Sequence, residues 1–140
     1  MTNKKTTKPV KEGKFTGVGR RKRATAVAVL FQGKGEITIN GMSLEKFFPV
    51  AHEKWKISQP FVVTDQLGKF DATVRVTGGG RVGQLDSCSL AISRALVLVS
   101  EEFKSALRQN GLLTRDPREK ERRKVGTGGK ARRQKQSPKR

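Results

Sequence analysis

Between Phe70 and Thr77 apolar Phe70, Ala72, Val74 and Val76 alternate with Asp71, Thr73, Arg75 and Thr77. This period of two predicts a strand with one face in a core and one in water. Residues Ala24–Phe31 predict another, with β-branched Thr25, Val27 and Val29 on one face and small Ala24, Ala26 and Ala28 on the other. Both faces should be covered, the alanine face closely enough to admit a helix. Gln32–Gly35 then turns the chain into Glu36–Ile39, which closes on the Asn40-Gly41 pair and predicts a hairpin. Phe15–Arg20 reads as a preceding strand.

Helical signals follow two kinds of punctuation. Ser43 can cap a short helix running to Phe48 and stopped by Pro49. A second helix can open at Pro60 and end at Gly68, although Phe61–Thr64 equally reads as a strand. Farther on, Leu85, Cys88, Ile92, Leu96, Val99, Phe103 and Leu107 recur at spacings of three and four. They form the core-facing stripe of helix, divided at Ser100 and ended by Gly111. Strands covered on one face by helices make the fold class α+β.

The 140 residues and 34% hydrophobic content suffice for one small core. Charge alters the picture more. The formal net charge is +19, and residues 1–23 and 115–140 carry 17 of it, whereas residues 24–114 carry only +2. A nearly neutral centre between basic ends predicts a flexible arm (1–14), a globular body (15–114) and an extended basic tail (115–140), with a polyanion as partner. A transit peptide is a weaker reading of the N-terminal stretch. Pro117–Lys124 can form a short polar helix with Asp116 as its N-cap. No apolar run approaches the roughly 18 residues of a bilayer span. One cysteine permits neither an internal disulfide nor a zinc site of several thiolates. The expectation is a soluble, non-secreted protein in a reducing compartment.

Little in the chain points to catalysis. Gly78, Gly80 and Gly83 satisfy the spacing of a dinucleotide-binding loop, but the acid expected about 20 residues later would be Glu101 or Glu102, within helical pattern. No Gly-Lys-Ser/Thr completes a P-loop. What survives is a glycine-rich helix start beside Arg81, suited either to an RNA phosphate or to close packing of helix on sheet. His52 stands without ligand-spaced neighbours and reads as a surface residue. Cys88 reads as a small buried hydrophobe, and Asp65 and Asp71 as turn-bonding residues. Arg20, Arg21, Lys22 and Arg23 adjoin a strand and should be rigidly presented, unlike Lys130–Arg133 and Lys139-Arg140 on the tail.

Taken in order, Gly17–Ala26, Asn40-Gly41, Gly78–Gly80 with Gly83-Gln84, Ser93–Leu96, Leu113–Asp116, Glu121–Lys124, Lys130–Arg133 and Lys139-Arg140 resemble the bacterial-type small-subunit ribosomal protein nine family. The resemblance implies a four-stranded sheet with helices on one face, a left-handed βαβ crossover and a long basic C-terminal tail. It implies a non-enzymatic constituent of the small-subunit head, cytoplasmic, without cofactor, small-molecule substrate or membrane. Its partners would be small-subunit ribosomal RNA, neighbouring head proteins and peptidyl-site tRNA. Ribosomal RNA would meet Arg20, Arg21, Lys22, Arg23, Arg81, Arg115, Arg118, Arg122, Arg123, Lys124, Lys130, Arg132 and Arg133. Lys139 and Arg140 would meet the tRNA anticodon stem-loop. The chain departs from the family pattern at Ser89-Leu90, where Arg-His is usual, and at Ser137-Pro138, where Phe-Ser is usual. Its glycine segment near the end is one residue longer. A free RNA chaperone, a subunit of an RNA-processing ribonucleoprotein and a small-molecule kinase are the alternatives; the kinase lacks its phosphate loop.

Overall fold

The computed structural model describes residues 13–122. Its strands are β1 (Phe15–Arg21), β2 (Ala24–Gln32), β3 (Ile37–Ile39), β4 (Met42–Ser43) and β5 (Phe70–Thr77). Its helices are α1 (Leu44–Phe47), α2 (Ala51–Val63), α3 (Arg81–Val99) and α4 (Phe103–Gln109). The strands form one mixed sheet in the order β1-β2-β5-β3-β4. The class is α+β as expected, but two-residue β4 makes the sheet five-stranded rather than four.

The hairpin predicted around Asn40-Gly41 forms between β3 and β4, with Ile39 opposite Met42. Strand β3 does not lie beside β2. Instead β5 enters between them, antiparallel to β2 and parallel to β3. The connection through α1 and α2 is long enough to bring β5 back into the middle of the sheet, as a parallel pair requires. Asn40 seals this joint. Its backbone N–H donates to the Val74 carbonyl at 2.9 Å, its side-chain amide donates to the Val76 carbonyl at 3.0 Å, and its Oδ1 accepts from the Val76 N–H at 2.9 Å. The side chain thus extends the ladder past the point where the backbone turns away at φ 49°.

Helix α3 lies over the inner faces of β1 and β2, which present Gly17, Gly19, Ala24, Ala26 and Ala28. These small residues let the helix axis approach the sheet, the reason the alanine face of β2 reads as closely covered. The β-branched face of β2 is not covered to the same degree: Thr25, Val27 and Val29 are half-buried on the helix-free side. The core continues through Val74, Ile92 and Leu96 to Phe48 just after α1, Ile57 and Phe61 of α2, and Leu107 of α4. Ser89 and Leu90 are both buried. Helix α3 is long and apolar enough by length and composition to cross a membrane, yet 67% of that window is buried within the body, as a core helix demands.

Two helical expectations need correction. Helix α2 begins at Ala51, not Pro60, and contains Pro60 in its interior. Pro60 is itself buried with Ile57 and Phe61, and this packing offsets the roughly 3 kcal/mol an interior proline costs. Phe61–Thr64 is therefore not a strand: Phe61–Val63 is helical and Thr64 is its C-cap, with Oγ1 donating to the Pro60 carbonyl at 2.8 Å. The second correction concerns residues 117–122, which form no helix. Asp116 binds the Arg118 N–H at 3.0 Å in a local turn, and an isolated polar helix this short has no face to bury. Residues 123 and 124 of that expected helix lie outside the described residues. At α1, Ser43 stands at the N-cap position without a side-chain capping bond, and α1 ends at Phe47 with Phe48 as its C-cap. Ser100 does separate α3 from α4, and Gly111 follows α4 at φ 70°.

Candidate nucleic-acid interface

The β1–β2 turn, the loop between β5 and α3, and residues 119–122 meet at one end of the body. Arg21 and Ala24 pair across a two-residue turn, so Lys22 and Arg23 stand exposed at its tip, with Lys22 at φ 52°. Beside this tip runs Gly78–Gly80. Gly78 and Gly79 have φ of 71° and 66°, and a Cβ on either would lie 2.7 Å from the Arg23 carbonyl oxygen or 2.8 Å from the Ala24 nitrogen. Both glycines are therefore required by close backbone packing. Gly80 faces open space. Gln84 holds the loop by donating to the Gly78 carbonyl at 3.1 Å.

Lys22, Arg23, Gly79, Gly80, Lys120 and Arg122 line a cleft of about 510 Å³, joined by Glu119 and Glu121. Four cationic side chains from segments a hundred residues apart in sequence thus converge on glycine backbone. Such an arrangement is chemically able to take an anionic chain, through N–H groups and point charges. Arg20 lies on the helix-free sheet face, one row from Arg75, a second exposed cation that sequence reasoning did not single out. The strand alternation that places Arg75 on the wet face was the available signal.

The remaining expected contacts divide by what holds them. Arg81 is half exposed and already paired: its Nε and Nη2 both donate to the Glu53 carboxylate at 2.7 Å, tying the start of α3 to α2. The bidentate bond holds the Glu53 carboxyl below its ordinary range and raises the Arg81 guanidinium. Arg115 pairs with Glu119 at 3.2 Å, and Arg118 with Asp116 at 2.7 Å. Arg21 is the outlier, at only 8% exposure. Its Nη1 lies 2.5 Å from Asp116 Oδ1 and donates to the Asp116 carbonyl at 3.2 Å, while its Nε is 3.4 Å from Asp86 Oδ2. Asp86 also pairs with Lys56 of α2. Placing Arg21 with the presented cations Arg20, Lys22 and Arg23 is therefore corrected: strand alternation turns it inward. Arg123, Lys124, Lys130, Arg132, Arg133, Lys139 and Arg140 lie outside the described residues.

His52, Cys88 and Asp71 have structural surroundings. His52 is exposed on α2. Cys88 is fully buried, and desolvation pushes its thiol up to about 12. Asp71 accepts the N–H groups of Lys34, Gly35 and Glu36, each at 2.8 Å, and this donor nest holds its carboxyl below the usual value. The hydrogen bonding is as expected, although it reaches across the sheet to the β2–β3 connection rather than within its own turn. Among the described residues, no three His, Cys, Asp or Glu side chains gather to hold a metal ion.

An α+β body that aims cations and glycine backbone at one cleft defines a scaffold for binding a polyanion. The family described as Ribosomal protein S9/S16 matches residues 19–140, and the chain belongs to that family. It is 46% identical over 111 residues to the small ribosomal subunit protein uS9 of Methylacidiphilum infernorum, covering 79% of this chain and 82% of that protein. It is 47% identical over 112 residues to the protein of the same name from Dehalococcoides mccartyi strain CBDB1, covering 80% and 85%. With the one from Christiangramia forsetii it shares 45% over 109 residues.

Proposed function

We propose that this protein is a non-enzymatic constituent of the small ribosomal subunit, in the cytoplasm, where it binds small-subunit ribosomal RNA and packs beside neighbouring proteins of the subunit head. The observation that carries this reading is the convergence of Lys22, Arg23, Lys120 and Arg122 on one cleft in a chain of the ribosomal family. Arg20, Lys22, Arg23 and Arg122 provide phosphate contacts from the body. Arg123, Lys124, Lys130, Arg132 and Arg133 continue the series along the C-terminal segment. Arg81, Arg115 and Arg118 share their charge with carboxylates and contribute less. Arg21 acts from inside the body.

Lys139 and Arg140, the last two residues, are proposed to contact the anticodon stem-loop of peptidyl-site tRNA. Two charge-assisted hydrogen bonds would supply at most a few kcal/mol, reduced by solvent and salt.

Small subunits reconstituted with the full chain and with a chain lacking residues 139–140 test both statements. Both chains should co-sediment with subunits after a high-salt wash, and only the shortened chain should weaken filter binding of tRNA. Failure of the full chain to co-sediment would overturn the ribosomal role. Unchanged tRNA affinity would overturn the role of the tip alone.

A further inference from the structure

Residues 115–122 contain no helix or strand, yet their course over the body is fixed at one point, Asp116. Arg21, 95 residues earlier, reaches both the carboxylate and the main-chain carbonyl of Asp116. Arg21 Nε faces Asp86 of α3 in an ion pair at 3.4 Å that makes no hydrogen bond, and Asp86 pairs with Lys56 of α2. The same Asp116 carboxylate takes the Arg118 guanidinium through Nε at 3.1 Å and Nη2 at 2.7 Å. The hydrogen bonds from Arg118 and the contact with Arg21 keep this carboxyl ionised far below its ordinary range. Just beyond this knot, Glu119–Arg122 line the basic cleft together with Lys22 and Arg23, the two residues that follow Arg21.

We propose that Arg21 is a positioning residue for RNA binding: through Asp116 it straps the root of the C-terminal segment to the body, so that Lys120 and Arg122 face the same ligand as Lys22 and Arg23. The proposal deepens the RNA-binding reading and rests on it. Arg21 suits the task because its guanidinium spreads its N–H groups in one plane: Nη1 meets the carboxylate and carbonyl of Asp116 while Nε faces Asp86, and the side chain is buried. A strap preformed in the free protein removes ordering entropy from the binding step.

Simple electrostatics and the strap predict opposite results for one substitution. Asp116→Asn removes a negative charge from a chain already at +19, and charge alone would strengthen RNA binding. The strap predicts weaker binding, by roughly tenfold, because one or two residues must then be ordered on the ligand. Asparagine keeps an Oδ1 that can accept the Arg118 N–H, so the local turn is spared, but it replaces the charged partner of Arg21 with a neutral amide and so loosens the strap. Arg21→Lys keeps the charge, but a single ammonium cannot face Asp116 and Asp86 as two separate nitrogens do, and it should weaken binding by a similar factor.

The probe is full-length small-subunit ribosomal RNA transcribed in vitro, titrated at fixed salt with the full chain and both variants. Thermal melting and backbone ¹⁵N order parameters at 115–122 are followed in parallel. Weaker binding by both variants, with lower order parameters at 115–122 and a retained melting transition, is the expected result. Should Asp116→Asn lose that transition, Arg21→Lys carries the comparison. Equal or tighter binding by folded Asp116→Asn, or unchanged binding by folded Arg21→Lys, overturns the strap. If the unsubstituted chain fails to prefer ribosomal RNA over unrelated RNA, the RNA-binding reading fails instead. The contact itself is then judged by the order parameters, and unchanged values at 115–122 in the variants remove it.

Discussion

Gly19 lies directly beneath Ala91, so that a Cβ on Gly19 would stand 2.6 Å from the Ala91 nitrogen and collide with the carbonyl of Ser87. Gly17 meets Ala95 in the same way, one turn farther along α3. Two strand glycines and three small helix residues thus set the depth at which α3 rests on β1. Gly19→Ala should destabilise the protein by about 1–3 kcal/mol, since backbone cannot yield as a flexible side chain would. The urea midpoint measures this; an unchanged midpoint would mean α3 is free to slide.

Asn40→Ala removes the side chain that pairs with both backbone groups of Val76. A loss of about 1–3 kcal/mol is expected from leaving those groups poorly paired. Chemical denaturation gives the size, and faster hydrogen exchange at the Val76 amide gives the location.

Acid should weaken the fold through carboxylates whose folded pKa values are depressed, Glu53 by Arg81 and Asp71 by the 34–36 amides. Each such group stabilises the folded state above its unfolded pKa, and that contribution is lost as pH falls through the lower folded value. The melting temperature should stay level from about pH 8 to 5.5 and then decline below the ordinary carboxylate range. Asp71→Asn should lower the plateau and flatten the decline, as read from melting temperature against pH.

Cys88 should resist thiol reagents in the native state. At pH 8 a thiol raised to about 12 is ionised on the order of a thousandfold less than one at its ordinary value. Labelling by a disulfide reagent should therefore follow unfolding, and labelling at the rate of a free thiol would show that α3 opens readily.

RNA affinity should depend steeply on salt. With about 6–10 phosphate contacts, affinity should fall by roughly 10³–10⁵ between 50 and 200 mM salt. A nearly flat plot of log affinity against log salt would remove the phosphate-contact reading, while a chain ending at Asp116 should give a shallower slope and still melt cooperatively.

Strands β2 and β5 and the long stripe of α3 and α4 were legible because each repeats one period over many residues, and a buried face needs that repetition. Likewise the basic ends declared a polyanionic partner, since net charge acts at long range and requires no fold. Helix α2 was hidden differently: Ile57, Pro60, Phe61 and Thr64 keep helical spacing, but a proline among them reads locally as a start, and only core packing reverses that preference. The insertion of β5 between β2 and β3 was not legible, because pairing partners are chosen by nonlocal contacts that no window of sequence contains. For the same reason a run of four basic residues could not say which of them points outward. Strand alternation turned Arg21 inward, and Asp86 and Asp116, distant in sequence, met it there. The chain by itself determined the periods, the charge and the family motifs; the tertiary structure decided which cations face a ligand and which hold the protein together, because burial and pairing exist only once distant segments share one space.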